Sequence, residues 1–147
     1  DAQIAHIVVT PNQVDIDAGR LAEKQGSTKA VRDFGKQMVT DHSAVNKQAT
    51  ELVTKLKVKP EPNSTSADLK KGGVASVAKL KKLKSKESDK AYVDNEVTYH
   101  QAVLDAVDKT LLPSAKNPEL KALIEKVRPA FVAHLDHAKK IQADLGK

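Results

Sequence analysis

Three of the five histidines, His42, His100 and His134, fall in the apolar stripes of three different predicted helices, each near its helix's midpoint. Imidazole together with carboxylate suits Zn, Cu, Fe, Ni or Mn, so a gathering of these rings would supply much of a coordination shell. Side chains one turn away extend the set. Met38 precedes His42 by four residues and Glu96 precedes His100 by four, so each pair shares a helix face. Asp15 falls near mid-height of the first helix, Asp41 adjoins His42 at the seam edge, and His137 follows His134 by three. Glu96, Asp15 and Met38 are the candidate additional ligands, the thioether favouring Cu(I).

The same positions admit a second chemistry. A histidine in an apolar stripe is often a neutral core residue bonded to a carboxylate, a tyrosine hydroxyl or a backbone carbonyl, and Asp15, Glu96, Tyr92 and Tyr99 are available partners. Three at one level are harder to explain that way, because apolar side chains would pack there without a desolvation cost. Met38, the only methionine, also fills core volume. Tyr92 and Tyr99 are expected to cover the bundle edge. His6 lies off the first seam and is expected to be exposed.

The elements that must position these groups are all helical. The first is expected over residues 2–25, ending at Gly26, with Pro11 kinking or splitting it and Thr10 capping the second part. Ser27 is expected to cap a second helix over 28–57, whose stripe is Val31, Phe34, Met38, His42, Val45, Ala49, Leu52 and Leu56. Residues 58–86 read as a long connection with a short helix capped by Ser66 and broken or frayed at Gly72-Gly73. A third helix is expected over 88–112, its seam Val93, Val97, His100, Leu104, Val107 and Leu111 spaced four and three, stopped by Pro113. Asn117-Pro118 caps a fourth, running to Leu145 with a bend at Pro129.

Four such helices of roughly 24 to 30 residues, about 36 to 45 Å long at 1.5 Å per residue, make an all-α four-helix bundle of one domain over residues 1–147. The long link between the second and third helices can cross the whole bundle, as in ferritin-like folds; an up-down-up-down order with a decorated loop is the alternative. Midpoints coincide in either topology, so the three imidazoles are expected within about a turn or two of one level.

Composition excludes several classes. Cysteine is absent, so no thiolate site or disulfide can form. The longest apolar runs are too short to span a bilayer as a helix. The net charge of +6 comes from 22 Lys and 3 Arg, densest between Lys70 and Lys90 in a segment without aromatics. That is unlike the Arg and aromatic mixture of nucleic-acid surfaces and reads as a solvated lysine face with loose attraction to anionic surfaces. Patterns for a phosphate loop, a dinucleotide site or a nucleophile with its base are missing.

The segment Phe34-Gly35-Lys36-Gln37-Met38-Val39-Thr40-Asp41-His42, followed by Asn46, resembles the F-x-x-x-M-x-x-D-H pattern of a bacterial ferritin-like family catalogued as a domain of unknown function. Gly19-Arg20-Leu21-Ala22, Tyr92 with His100, and His134 with Ala138 are similar to the same pattern, so the resemblance covers nearly the whole chain. It implies a ferritin-like four-helix bundle exported to the periplasm or outer membrane through a removed signal peptide, and no established activity. Ferritin-like di-iron centres use Glu-x-x-His on two helices. Val39 and Phe131 occupy the positions three before His42 and His134, which argues against that chemistry and leaves an enzyme on this scaffold the least supported class. The expectation is a periplasmic metal-binding or metal-stress protein with His42, His100 and His134 as core ligands for Cu, Zn, Fe or Ni. The alternative is a structural or envelope-stress bundle whose histidines form a buried polar network.

Overall fold

The computed structural model describes residues 1–146, which form helices α1 (Ala2–Gln25), α2 (Lys29–Lys55), α3 (Ser64–Lys82) and α4 (Ser85–Ala106), then a π turn (Val107–Leu111), the short α5 (Leu112–Ser114) and α6 (Pro118–Leu145). No strand occurs among the described residues.

Cross-contacts give each helix its direction. Asn12 meets His42 and Gly19 meets Gly35, so α1 and α2 are antiparallel. Tyr99 reaches Asn12 while Ser88 reaches Gln25, making α4 antiparallel to α1. Gln142 bonds Asp94 and Arg128 bonds Asp108, so α6 opposes α4. α6 also opposes α2, through Asp41 with His134 and Lys55 with Glu119. α2 and α4 therefore run the same way. The return is made by α3, which lies parallel to α1 with Ser66 beside His6, Gly73 beside Val14 and Leu80 beside Gln25.

Local chemistry sets the boundaries, in several places differently from the expectation. α1 continues through Pro11 instead of splitting, and the Thr10 hydroxyl turns to His6 instead of capping. The cap of α2 is Thr28, whose Oγ1 accepts from Val31 N–H, whereas Ser27 gives its N–H and hydroxyl to the fully buried Asp89. Asp89 also accepts from Thr28 N–H, so one carboxylate fastens the α1–α2 turn to α4. α2 stops at Lys55 because Lys57 adopts φ 58° while Val58 N–H bonds the Val53 carbonyl and Lys57 N–H that of Thr54. This is a Schellman closure formed by a lysine.

The expected short, broken helix is a continuous one of 19 residues, started by an Asn63–Ser66 capping box and unbroken at Gly72-Gly73. α4 begins three residues before the expected start, and its helical path extends beyond Pro113. Pro113 lacks the N–H that would serve the Lys109 carbonyl, and the backbone widens into a π turn just ahead of it, with Leu112 N–H bonded to Val107. Asn117 caps α6 as expected, accepting from Glu119 and Leu120 N–H.

The core is two apolar clusters. Ile4, Ile7, Val45, Leu104, Leu111, Ile124 and Phe131 belong to one; Ala18, Phe34, Met38, Tyr92, Val93, Ala138 and Ile141 belong to the other. Along each of α1, α2, α4 and α6, buried polar residues occupy the changeover from one cluster to the other: Asn12 and Asp15, His42, Glu96 and His100, and His134. Gly19 and Gly35 bring α1 and α2 close enough for this layer to close. A Cβ on Gly19 would lie 2.8 Å from the Gly35 carbonyl oxygen, and one on Gly35 would lie 2.7 Å from that of Gly19.

The two adjacent glycines of α3 should respond oppositely to alanine. At Gly73 a Cβ would meet Val14 Cγ1 at 2.2 Å, whereas at Gly72 nothing lies within 4 Å. Urea unfolding should show Gly73→Ala destabilised by about 1–3 kcal/mol. Gly72→Ala should be stabilised by roughly 0.5–1 kcal/mol, since only helix propensity changes there.

Candidate metal centre

The centres of the His42, His100 and His134 rings form a nearly equilateral triangle, with separations of 5.5, 5.4 and 5.4 Å. One nitrogen from each ring lies within 4.8 Å of the other two. All three side chains are buried, and Phe131 closes one side, stacked on His42 at 5.3 Å. A second group, Asp15, Glu96 and His100, brings its donor atoms within the same 4.8 Å limit. The expected shared level is thus realised by side chains from α1, α2, α4 and α6.

Each imidazole is anchored through one nitrogen. His42 Nδ1 donates to Asn12 Oδ1 at 2.9 Å, and His100 Nδ1 donates to the Glu96 backbone carbonyl at 2.8 Å. His134 is held through the other nitrogen, Nε2, which donates to Asp41 Oδ2 at 2.8 Å. The remaining nitrogens, His42 Nε2, His100 Nε2 and His134 Nδ1, are buried and complete no hydrogen bond. Anchoring one ring nitrogen fixes the tautomer and leaves the other with a lone pair for a ligand.

The carboxylates complete the layer. Asp15 Oδ2 stands 3.0 Å from His42 Nε2, but neither atom is aligned for a hydrogen bond, so the contact is electrostatic. Glu96 Oε2 lies 3.3 Å from His100 Nδ1, whose hydrogen goes to the nearer carbonyl, and both Glu96 carboxyl oxygens remain without an aligned donor. Tyr92 and Tyr99 are buried beside these groups and do not cover an outer edge. Tyr99 donates to Asn12 at 3.4 Å and packs against His42 and His100.

Burial sets the protonation states. It pushes Glu96 well above the usual carboxyl range, aided by the neighbouring Asp15 charge, so Glu96 is a neutral acid. Burial would raise Asp15 too, but His42, 3.0 Å away, outweighs it and holds Asp15 down at about 2. His100 is pushed down to about 4 by burial against the opposing pull of Asp15, and burial likewise lowers His134. Neutral His100 and His134 beside the ionised Asp15 leave nitrogen lone pairs and a negative charge for a cation.

Asp15, Glu96, His42, His100 and His134 are brought together. Met38 lies in the apolar cluster one turn from His42, packed among Phe34, Tyr92 and Val93. His6 is half-buried and bonded to Ser66 Oγ at 2.7 Å, because α3 covers it. The sequence reading missed Asn12. Its one signal was a second polar residue three positions before Asp15, hence on the same face of an otherwise apolar seam.

A family model described as a domain of unknown function (DUF4142) matches residues 1–141. No curated protein and no solved structure matches the chain.

Glu96 offers a test of the burial argument in metal-free protein. A carboxyl raised above its ordinary 4.5 favours folding most below that value and loses this contribution as pH rises toward the folded-state value. Glu96→Gln mimics the neutral acid. Its urea midpoint should match wild type near pH 4 and exceed it increasingly toward pH 7, by up to about 1.4 kcal/mol per pH unit. Parallel curves across that window would mean that Glu96 ionises freely.

Proposed function

We propose that this chain, which belongs to the DUF4142 family, is a metal-binding protein whose core histidines hold one divalent transition-metal ion. The observation that carries this reading is the set of three buried ring nitrogens that complete no hydrogen bond, each on an imidazole fixed from behind and one of them 3.0 Å from the Asp15 carboxylate. Leaving a buried polar atom unsatisfied costs about 1–3 kcal/mol, so a purely structural network would be expected to pair these atoms rather than leave several of them open. His42, His100 and His134 would be the nitrogen ligands, with Asp15 supplying negative charge and Glu96 a further oxygen. Three nitrogens with carboxylate suit Zn(II), Cu(II), Ni(II) or Fe(II). Met38 would contribute only toward Cu(I), for which thioether is a preferred donor.

The ferritin-like arrangement and the periplasmic setting are parts of the same proposal. The former is supported by parallel α2 and α4 joined by a connection running back along α1, which is the order of a one-crossover bundle. The latter rests on the sequence resemblance alone, and a role in metal stress is the use an envelope protein would have for such a site.

Protein purified without an affinity tag should take up one equivalent of Zn(II) and unfold at higher temperature once loaded, since a ligand that binds only the folded state stabilises it. His100→Gln should weaken that affinity about a hundredfold or more. The absence of stoichiometric uptake, or an unaffected variant, contradicts the reading and favours the structural network. Met38→Leu should leave Zn(II) affinity unchanged and lower Cu(I) affinity only, as competition titrations with a chromophoric chelator would show.

A further inference from the structure

The three anchors differ in one respect. His42 is held by Asn12, which is buried, and His100 by a backbone carbonyl inside α4. His134 is held by Asp41, whose side chain is 40% exposed while that of His134 is 4% exposed. This pair, on facing turns of α2 and α6, is a direct line of polar atoms from solvent to the triangle. Asp41 Oδ2 is shared between His134 Nε2 and a longer contact from Gln37 Nε2 at 3.4 Å, so the carboxylate is held at the rim by side chains alone.

Resting on the reading of the triangle as a metal site, we propose that Asp41 and His134 form its entry gate. Asp41 is the surface carboxylate that captures the incoming divalent cation, and His134 is the ligand that releases Asp41 to let it pass and then completes the site. The chemistry favours this order. Partial exposure lets Asp41 present a negative charge to a hydrated cation, and a surface charge of that kind accelerates encounter. His42 and His100 have no such freedom, because their anchors lie inside the core. Asp41 is a positioning residue here and is no ligand of the loaded site.

A competing route exists. A surface cavity of about 240 Å³ beneath α3 is lined by Leu69, Gly72, Gly73 and Tyr99, and Tyr99 packs directly on His42 and His100. Entry there would need α3 to lift and Tyr99 to swing. That wall also carries Asp68, Ser76, Asn95 and Thr98, but its member against the histidines is Tyr99, whose hydroxyl is given to Asn12, whereas Asp41 bonds a ring of the triangle directly.

Stopped-flow uptake of Co(II) by the full chain, followed by its visible ligand-field band, separates these routes. Asp41→Asn still accepts a hydrogen bond from His134, so the anchor survives and only the charge is lost. The variant should bind with an association rate lowered about tenfold and with a weaker dependence on ionic strength. Its final spectrum should match wild type, and Asp41→Glu should recover most of the rate. Three outcomes overturn the gate: an unchanged association rate with faster dissociation, which makes Asp41 an orienting partner only; an altered final spectrum, which makes it a ligand; or uptake insensitive to Asp41 but accelerated by Gly73→Ala, which places entry beneath α3. Wild-type protein that takes up no Co(II) overturns the metal reading itself, and the gate with it.

Discussion

The rest of this structure depends on a polar layer placed across the middle of an apolar core. Asn12, Asp15, His42, Glu96, His100 and His134 are each within a few per cent of full burial. Two separate apolar clusters flank them. Such a layer is unfavourable by itself, since every group in it has left water. It persists because the surrounding packing is stable enough to hold it and because part of its hydrogen-bonding capacity is met within the layer.

What is met and what is left open are distributed unevenly. The outward-facing ring nitrogens have partners, and a backbone carbonyl, an amide and a carboxylate serve the three rings. The remaining ring nitrogens do not, nor do the carboxyl oxygens of Glu96. Burial keeps Glu96 protonated and depresses His100 and His134, so these three are uncharged while Asp15 retains its charge. The backbone contributes through Gly19 and Gly35, whose missing side chains let α1 approach α2. Without that approach, Asn12 and Asp15 would stand away from His42.

Much of this was legible in the sequence. Heptad-like spacing located the seams, and the near-midpoint placement of His42, His100 and His134 placed them at one level before any packing was known. Asp15 and Glu96 followed from helix phase. The failures have local physical causes. Gly72-Gly73 has low helix propensity and read as a break, but Gly73 is where α3 closes on Val14, so tertiary contact outweighs propensity. Ser27 is the better cap by type, but the distant Asp89 takes its N–H and hydroxyl and Thr28 caps the helix instead. Tyr99 shares a cavity wall with Leu69, Gly72 and Gly73, and Tyr92 an apolar cluster with Leu80, all on α3, whose length the sequence understated. Asn12 went unnoticed because a single asparagine after Pro11 reads as turn chemistry until its partner is seen across the core.

The sharpest claim concerns individual nitrogen atoms, and long-range proton–nitrogen NMR of the histidine rings reads them directly. In metal-free protein near neutral pH, His42 and His100 should carry their hydrogen on Nδ1 and His134 on Nε2. One equivalent of Zn(II) should then shift His42 Nε2, His100 Nε2 and His134 Nδ1 together. Rings that carry hydrogen on those three nitrogens in the metal-free protein, or that stay unmoved by the ion, would contradict the assignment of this layer as a metal centre.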